Sequence, residues 1–279
     1  MSTRVFDKSD LILATLHRVD LFAKWPVDVV VAMASAGRLW RYTRGERVFE
    51  ANVPAPGVAV LVDGSLLIAR SWANGKQMAT TITRPGWPHC VLWAWDGIEC
   101  PYDGVARSDL LAVIVPSADF IAAVGSDAKR LSDLVNFASA QIRQDTEALH
   151  TRAIGSPRCL MAKYLAYLAR PSVHLTVEEP DAVDPTAFDV TQDELAAMLH
   201  YARQTVNRMM KTMEREGVLV REGNRLRIVD FLKLLAIMEE DEPIYPLWKE
   251  QIVAWDAKLR AGETKRQGET LPVSPRLPV

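Results

Sequence analysis

The amino-acid sequence predicts an α+β fold, in which an antiparallel β domain precedes a long helix and a smaller domain of short helices and paired strands. Three patterns predict it: glycine-separated apolar runs before residue 125, an apolar helical stripe up to residue 155, and two amphipathic helical periods after residue 190. A chain of 279 residues is long enough for two such domains.

The first region, residues 1–125, contains many short apolar runs separated by glycines. Runs such as Val58 to Val62 and Leu66 to Ala69 are typical of short strands. The glycines that separate runs of this kind are Gly45, Gly57, Gly64, Gly75 and Gly86. Many short strands with glycine turns favour a jelly-roll-like antiparallel β-roll, which we expect to follow N-terminal helices.

The second region, residues 126–155, has the period of one long helix. It contains no glycine or proline before Gly155, and its apolar stripe consists of Leu131, Leu134, Ala138, Ile142 and Leu149. Taken alone, this stripe could pack on the β-roll of the same chain or on the same helix of a second chain.

Residues 191–217 contain two short amphipathic helices around a tight turn. Thr191 and Glu194 have the spacing of a capping box, and Leu195, Ala196 and Leu199 follow at helical spacing. The second helix has a separate apolar face made of Val206, Met209, Met210 and Met213.

The opposite face of that second helix is cationic and rich in amides. It consists of Arg203, Gln204, Asn207, Arg208 and Lys211. Arginine can donate two parallel hydrogen bonds to guanine, and glutamine or asparagine can form a two-bond contact with adenine, donating one hydrogen bond and accepting the other. This composition predicts direct reading of DNA in the major groove, although a solvated helix face has a similar composition.

The order of these residues resembles the winged helix-turn-helix of the CRP/FNR transcription regulators. The matching residues are Thr191, Glu194, Leu195, Ala196, Leu199, Arg203, Thr205, Val206, Arg208, Gly217, Val218 and Leu219. The resemblance implies a wing from Leu219 to Ile228 that turns at Gly223 and Asn224. It also implies a DNA-binding domain over residues 156–230, a sensory, cyclic-nucleotide-binding-like β-roll over 1–125, and a dimerisation helix over 126–155.

Residue roles follow from the resemblance. Arg203, Gln204 and Arg208 would read bases, and Thr191 and Thr205 would contact phosphates; Asn207 and Lys211 complete the expected DNA-binding set. The implied partners are double-stranded DNA, a second copy of the chain and, as a further candidate, RNA polymerase. The recognised site would be an inverted repeat.

Three residues depart from the family pattern. His200 stands where the turn usually has glycine, Ala202 where a capping serine or threonine is usual, and Gln204 where glutamate is frequent. Loss of a capping hydroxyl costs about 1 kcal/mol, and glutamine in place of glutamate should change base preference. The operator sequences of relatives therefore do not predict the operator sequence of this protein.

The sequence argues against cyclic-nucleotide binding. The Gly-Glu pair that contacts ribose in nucleotide-binding relatives is absent, and Tyr102 and Asp103 stand where a phosphate-binding arginine is expected. An aspartate there would repel phosphate, so Arg107 would have to carry any such binding.

A different effector has its own candidate residues. Four aromatic side chains, Trp87, Trp93, Trp95 and Tyr102, lie close together in sequence near Arg107. They could line a pocket for a planar or apolar effector, or they could fill the space that a nucleotide occupies in relatives.

Composition narrows the other possibilities. The net charge of −2 predicts that any DNA binding depends on a local patch. Neither a long uncharged apolar run nor a secretory signal is evident, which predicts a cytoplasmic protein without a membrane partner. Three cysteines, Cys90, Cys100 and Cys159, fit a reducing compartment and are too few for a typical iron–sulfur cluster. We expect no cofactor, although haem stays open because His17, His89, Cys90, His150 and His174 are capable ligands.

The C-terminal region, residues 231–279, is predicted to be a helical extension with a flexible tail. Asp230 to Glu240 and Leu247 to Leu259 have helical apolar periods, and the tail begins near Gly262. The extension could cover the DNA-binding domain, add to the dimer or bind another protein. Residues 172–189, with Pro180 and Pro185, are predicted to form a loop before the DNA-binding unit.

Two function classes follow from these patterns. The first is a homodimeric transcription regulator, and the second is an effector-binding or protein-interaction module with a degenerate helix-turn-helix. An enzyme is not expected, because the sequence has no Walker-type phosphate loop, HExxH or GxSxG motif.

Overall fold

Two four-stranded antiparallel sheets form the N-terminal domain. We describe them from a computed structural model that covers residues 8–71, 77–169 and 187–241, together with 244, 249–250, 252–254, 256–257 and 260. The strands are β1 Arg38–Tyr42, β2 Arg47–Phe49, β3 Gly57–Asp63, β4 Leu66–Ser71, β5 Gln77–Thr83, β6 Pro88–His89, β7 Asp103–Ala106 and β8 Leu110–Pro116. Their orders are β1-β8-β3-β6 and β2-β7-β4-β5, which confirms the predicted β-roll.

Strand β3 lies in the middle of its sheet, where both of its faces are covered. It is buried from Gly57 to Val62, and it pairs with β8 from Gly57 opposite Pro116 to Asp63 opposite Leu111. Gly57 has a φ of 150°, and a Cβ there would lie 2.0 Å from the carbonyl oxygen of Val115. The close approach of the two strands therefore requires glycine at this position.

Helices cover one side of the β-roll and then continue out of it. They are α1 Lys8–His17, α2 Val27–Ala36, α3 Val91–Asp96, α4 Ser117–Val124 and α5 Ala128–Ile154. Leu16, Phe22, Met33 and Phe120 are fully buried in the core that these helices share with β3 and β8. Asp127 caps α5 by accepting a hydrogen bond from the backbone N–H of Arg130, and the helix runs without interruption to Gly155, as predicted.

Among the described residues from 156 to 241, the C-terminal domain contains four helices and a small sheet. Its elements are α6 Pro157–Leu168, β9 Ala187–Asp189, α7 Gln192–Leu199, α8 Arg203–Arg215, β10 Leu219–Glu222, β11 Arg225–Ile228 and α9 Phe231–Met238. The antiparallel sheet has the order β10-β11-β9. This arrangement confirms the predicted winged helix-turn-helix, with the wing made by β10 and β11.

Strand β9 differs from the sequence interpretation, and helix α9 follows one of its alternatives, because it covers the DNA-binding domain. Residues 187–189 form strand β9 on the edge of the wing sheet, so the end of the predicted loop is a strand; residues 170–186 lie outside the described part of the chain. Helix α9, assigned from the sequence to an extension, packs on α6 with Phe231, Leu234 and Met238 in the domain core. Sequence periodicity shows an apolar face but not the surface that the face covers. The described residues after 248 are helical, and Ile252 contributes to the same core.

Candidate nucleic-acid interface

The first helix of the helix-turn-helix, α7, begins with the predicted capping box. The backbone N–H of Glu194 donates to Thr191 Oγ1 at 3.1 Å, and the backbone N–H of Thr191 donates to Glu194 Oε2 at 2.8 Å. These reciprocal bonds satisfy two backbone donors at the helix start. Thr191, which the resemblance assigns to a phosphate contact, is thus half-buried and already engaged with Glu194.

The turn between α7 and α8 contains two of the predicted departures. His200 ends α7 with a φ of 57°, a left-handed conformation that favours glycine. Ala202 is the N-cap residue that precedes α8. It has a φ of −61° and a ψ of 141°, and its side chain forms no capping hydrogen bond. The backbone geometry is therefore that of an ordinary helix-turn-helix, although neither side chain is the one that favours it.

Replacing Ala202 with serine is expected to increase the free energy of unfolding by about 1 kcal/mol, because the extended backbone at this position suits an N-cap hydroxyl. Urea unfolding at one fixed protein concentration measures the change. Ala202→Val, which adds bulk without an acceptor, is the matched control and should give no increase. Equal stability of the serine variant and the native protein would contradict the expectation.

Helix α8 separates its two faces sharply. Val206, Met210 and Met213 are buried in the domain core. The exposed residues of the opposite face are Arg203, Gln204, Arg208 and Lys211. The structure therefore brings together the side chains that the sequence assigns to base contacts, and it leaves them open to solvent.

The remaining predicted contact residues lie at the edge of this face. Thr205 and Asn207 are half-buried, and the Asn207 side-chain oxygen accepts a hydrogen bond from Gln192 at 3.5 Å. Arg203 forms a 3.2 Å ion pair with Asp193 in which both side chains are largely exposed. Such exposed pairs contribute little energy, so Arg203 can exchange Asp193 for another acceptor.

The wing carries a further exposed cation. Arg225 is exposed and pairs in register with Glu222 across the wing turn, where Gly223 has a φ of 65°. Arg225 was not among the predicted DNA-binding residues. Its position immediately after the predicted wing turn at Gly223 and Asn224 is the sequence feature that could have added it to that set.

Arg107 contacts the other domain. Its Nε donates to Glu194 Oε1 at 2.5 Å and its Nη2 donates to Glu194 Oε2 at 2.9 Å, which joins the turn between β7 and β8 to the first turn of α7. The pKa of Arg107 is raised by these bonds, although burial acts in the opposite direction. Arg107 was predicted as an effector residue; in this structure its guanidinium binds a carboxylate of the same chain.

Arg84 makes a second contact between the domains. Its guanidinium donates to the backbone carbonyl oxygens of Leu168 and Ala187, and it lies 5.8 Å from the centre of the Phe188 ring. Burial lowers the pKa of Arg84 to about 10, and the nearby Asp189 opposes that shift. The side chain therefore remains charged at neutral pH. Neither arginine contact between the domains was predicted from the sequence.

The aromatic residues predicted for an effector pocket lie in three different places in the structure. Trp93 and Tyr102 pack edge to face at 5.1 Å in one core of the β-roll, while Trp95 packs against the other. Trp87 lies 6.2 Å from Phe137 of α5. The structure thus brings two of the four aromatics into direct contact, and it places Arg107 against Glu194 instead of beside them.

The region that would hold a nucleotide phosphate contains a buried carboxylate. Asp103 is 5% exposed and accepts a hydrogen bond from the backbone N–H of Ala51 at 3.0 Å. The Phe49 ring lies against Gly104, where a Cβ would approach it within 2.4 Å. Arg47 Nε lies 3.6 Å from Asp103 Oδ1, so an anion at this position would compete with Asp103 for Arg47 and would meet the Phe49 ring.

Two of the predicted haem-ligand candidates, His89 and Cys90, are buried. His89 is buried and lies 3.0 Å from the Thr83 hydroxyl, and burial lowers its pKa to about 3, so the ring is neutral. His174 lies outside the described residues. Among the residues that the structure describes, no three histidine, cysteine or acidic side chains are placed to hold a metal ion, and no helix is long and apolar enough to cross a membrane.

Comparison with known proteins gives consistent matches. The Crp-like helix-turn-helix domain family matches residues 161–237. The chain is 22% identical over 220 residues to the CRP-like cAMP-activated global transcriptional regulator of Mycobacterium tuberculosis, a match that covers 78% of this chain and 96% of that protein. It is 24% identical over 209 residues to the transcriptional activator protein FnrL of Cereibacter sphaeroides, covering 72% and 80%. The structure of FixK2 from Bradyrhizobium japonicum matches with a TM-score of 0.60 and 15% identity, covering 75% of this chain and 99% of that one, and this likeness shows a common fold.

Proposed function

Since the chain belongs to the CRP/FNR family of transcription regulators, we propose that it reads an inverted-repeat operator as a homodimer. The observation that carries this proposal is the exposed face of α8, where Arg203, Gln204 and Arg208 project from a helix whose other face is buried. The arginines can donate two hydrogen bonds to a guanine edge, and the glutamine amide can donate one to adenine N7 and accept one from adenine N6. The N-terminal end of such a helix is the part that enters the major groove in helix-turn-helix proteins.

Helix α5 supports the dimer. Val135, Ile142 and Leu149 are 62%, 64% and 66% exposed, and they lie seven residues apart. Apolar side chains at this interval form one seam of a two-stranded coiled coil. The stripe seen in the sequence therefore divides: Leu134 is buried and Leu131 packs against the β-roll, whereas Ile142 and Leu149 face outwards with Val135, which the sequence analysis did not include.

The proposed regulator does not depend on cyclic AMP. The buried carboxylate of Asp103 and the ring of Phe49 oppose a phosphate in the β-roll, and Arg107 is engaged by Glu194. We propose no resident cofactor and no catalytic activity. The protein would act in the cytoplasm, with RNA polymerase as a candidate partner and with an effector, if there is one, of another chemical class.

Selection of genomic fragments by the purified chain tests this function. We expect the recovered sites to share an inverted repeat with half-sites about 34 Å apart, the distance between successive major grooves on one side of B-DNA. Affinity should fall steeply with salt, with a log–log slope of about −0.9 per phosphate contacted. Failure of a well-folded dimer to retain any fragment would favour the alternative, an effector-binding or protein-interaction module with a degenerate helix-turn-helix.

A further inference from the structure

A two-fold symmetric reader must fix how each DNA-binding domain is rotated relative to the dimer helix. Two half-sites can be bound together only when both recognition helices point into successive major grooves. In this chain the covalent connection is short, because α5 ends at Gly155 and α6 begins at Pro157 behind the Ser156 cap. The non-covalent contacts on either side of this connection therefore decide the rotation.

One set of contacts anchors α6 close to the connection. Lys163 lies 3.1 Å from the Glu147 carboxylate and donates to Thr151 Oγ1 at 2.8 Å, and these three side chains are buried between α5 and α6. Arg152 also reaches the backbone oxygen of Met198 at 3.4 Å. At the far end of α6, Arg84 of the β-roll holds the backbone oxygens of Leu168 and Ala187. These contacts therefore end on α6, on β9 or on the backbone of α7.

A further contact holds a side chain of the helix-turn-helix itself. The Arg107 guanidinium binds both oxygens of Glu194, and only 20% and 25% of the two side chains are exposed. A bidentate arginine–carboxylate pair restricts direction as well as distance. Because Glu194 lies in the first turn of α7, the contact restrains the unit that carries α8.

We propose that Arg107 is a positioning residue that sets the half-site spacing accepted by the dimer. Through Glu194 it holds each helix-turn-helix at one rotation on its β-roll, so that the two recognition helices are arranged for one spacing before DNA is bound. Without it, each domain reads a half-site as before but samples a wider range of rotations. This inference rests on the proposed function, and it concerns the spacing between half-sites and not the bases within them.

The test uses the full-length dimer and double-stranded oligonucleotides that carry the inverted repeat recovered by genomic selection. One series varies the spacer by one to three base pairs in either direction, and a second probe carries a single half-site. We expect Arg107→Ala to lower affinity for the best spacing about tenfold, within the range usual for coupling between sites. The preference among spacers should flatten, while affinity for the single half-site stays unchanged.

Glu194→Gln is the matched variant, because glutamine at this position preserves the capping box while losing the charge that holds Arg107. It should reproduce the Arg107→Ala result, and the double variant should show no further loss, since both changes remove one contact. Arg41→Ala, which removes an exposed arginine of β1, should keep the native spacing preference. Thermal unfolding checks that every variant is folded.

The outcomes separate this inference from the function on which it rests. Native spacing selectivity in Arg107→Ala and Glu194→Gln would overturn the positioning role and leave the proposed function intact. An equal loss on the single half-site would also overturn it, because Arg107 would then act on DNA directly or through the integrity of α7. If the native protein bound neither probe, that result would contradict the proposed function, and the inference that rests on it would be contradicted as well.

Discussion

Replacing Arg203 with alanine is expected to abolish the preference for the operator over unrelated DNA while leaving the dimer intact. Arg203 is the first residue of α8, is exposed, and forms a solvent-exposed ion pair with Asp193. A bidentate contact from arginine to guanine contributes about 1–3 kcal/mol of discrimination per half-site, so the loss over two half-sites should exceed tenfold. Competition binding with the recovered operator and a scrambled duplex measures the specificity ratio.

Arg215→Ala is the matched control for this change. Arg215 lies in the last turn of the same helix, where it is exposed and donates to the backbone oxygen of Lys211. A helix rises about 1.5 Å per residue, which places Arg215 roughly 18 Å from Arg203. Its removal should leave the specificity ratio unchanged. Unchanged operator selectivity in Arg203→Ala would count against the assignment of α8 as the reading helix.

Replacing Ile142 with lysine is expected to convert the proposed dimer into a monomer. Ile142 is the middle residue of the exposed seam on α5, and two-fold symmetry would place the two introduced ammonium groups against each other. The change removes the apolar area that Ile142 would bury in the seam. The two ammonium groups would also have to give up their hydration and would repel each other. Sedimentation velocity over a range of concentrations measures the change. Loss of the dimer should also lower the affinity for the operator, because each half-site would then be bound independently.

Asn136→Lys provides the control for added charge. Asn136 is an exposed residue of α5 that lies off the line of Val135, Ile142 and Leu149. The variant should stay dimeric. A dimeric Ile142→Lys variant with native affinity would show that the seam is not the interface, and the apolar stripe would need another partner.

The parts of the fold that depend on neighbours in sequence were predictable. The capping box at Thr191 and Glu194 needs two residues three apart, and the wing turn needs Gly223 between two short apolar runs. Helix α5 could be placed because an apolar period continues up to Gly155 without a residue that interrupts a helix. Each of these signals lies within one turn or one helix.

Partners that are distant in sequence were not predictable. Arg107 and Glu194 are 87 residues apart, and nothing in either local pattern indicates the other. A cation in a loop of a sensory domain is compatible with an effector anion or with a carboxylate of the same chain. The division of α5 into Leu134 facing inwards and Val135 facing outwards depends in the same way on where the β-roll lies. Periodicity locates an apolar stripe to within about one residue, and packing selects the face.

The joint between the domains is also insensitive to protons near neutrality. Burial raises the pKa of the Glu194 carboxyl, but the hydrogen bonds from Arg107 and Thr191 outweigh it and hold the pKa below its ordinary value. Because the folded-state pKa is lowered, the stabilisation from this carboxylate is complete above the ordinary glutamate range and is lost only as the pH falls through the lowered value. Arg107 has a raised pKa and stays charged at any physiological pH. Salt and competing anions are therefore the solution conditions able to loosen this joint, whereas mild acidification leaves it closed.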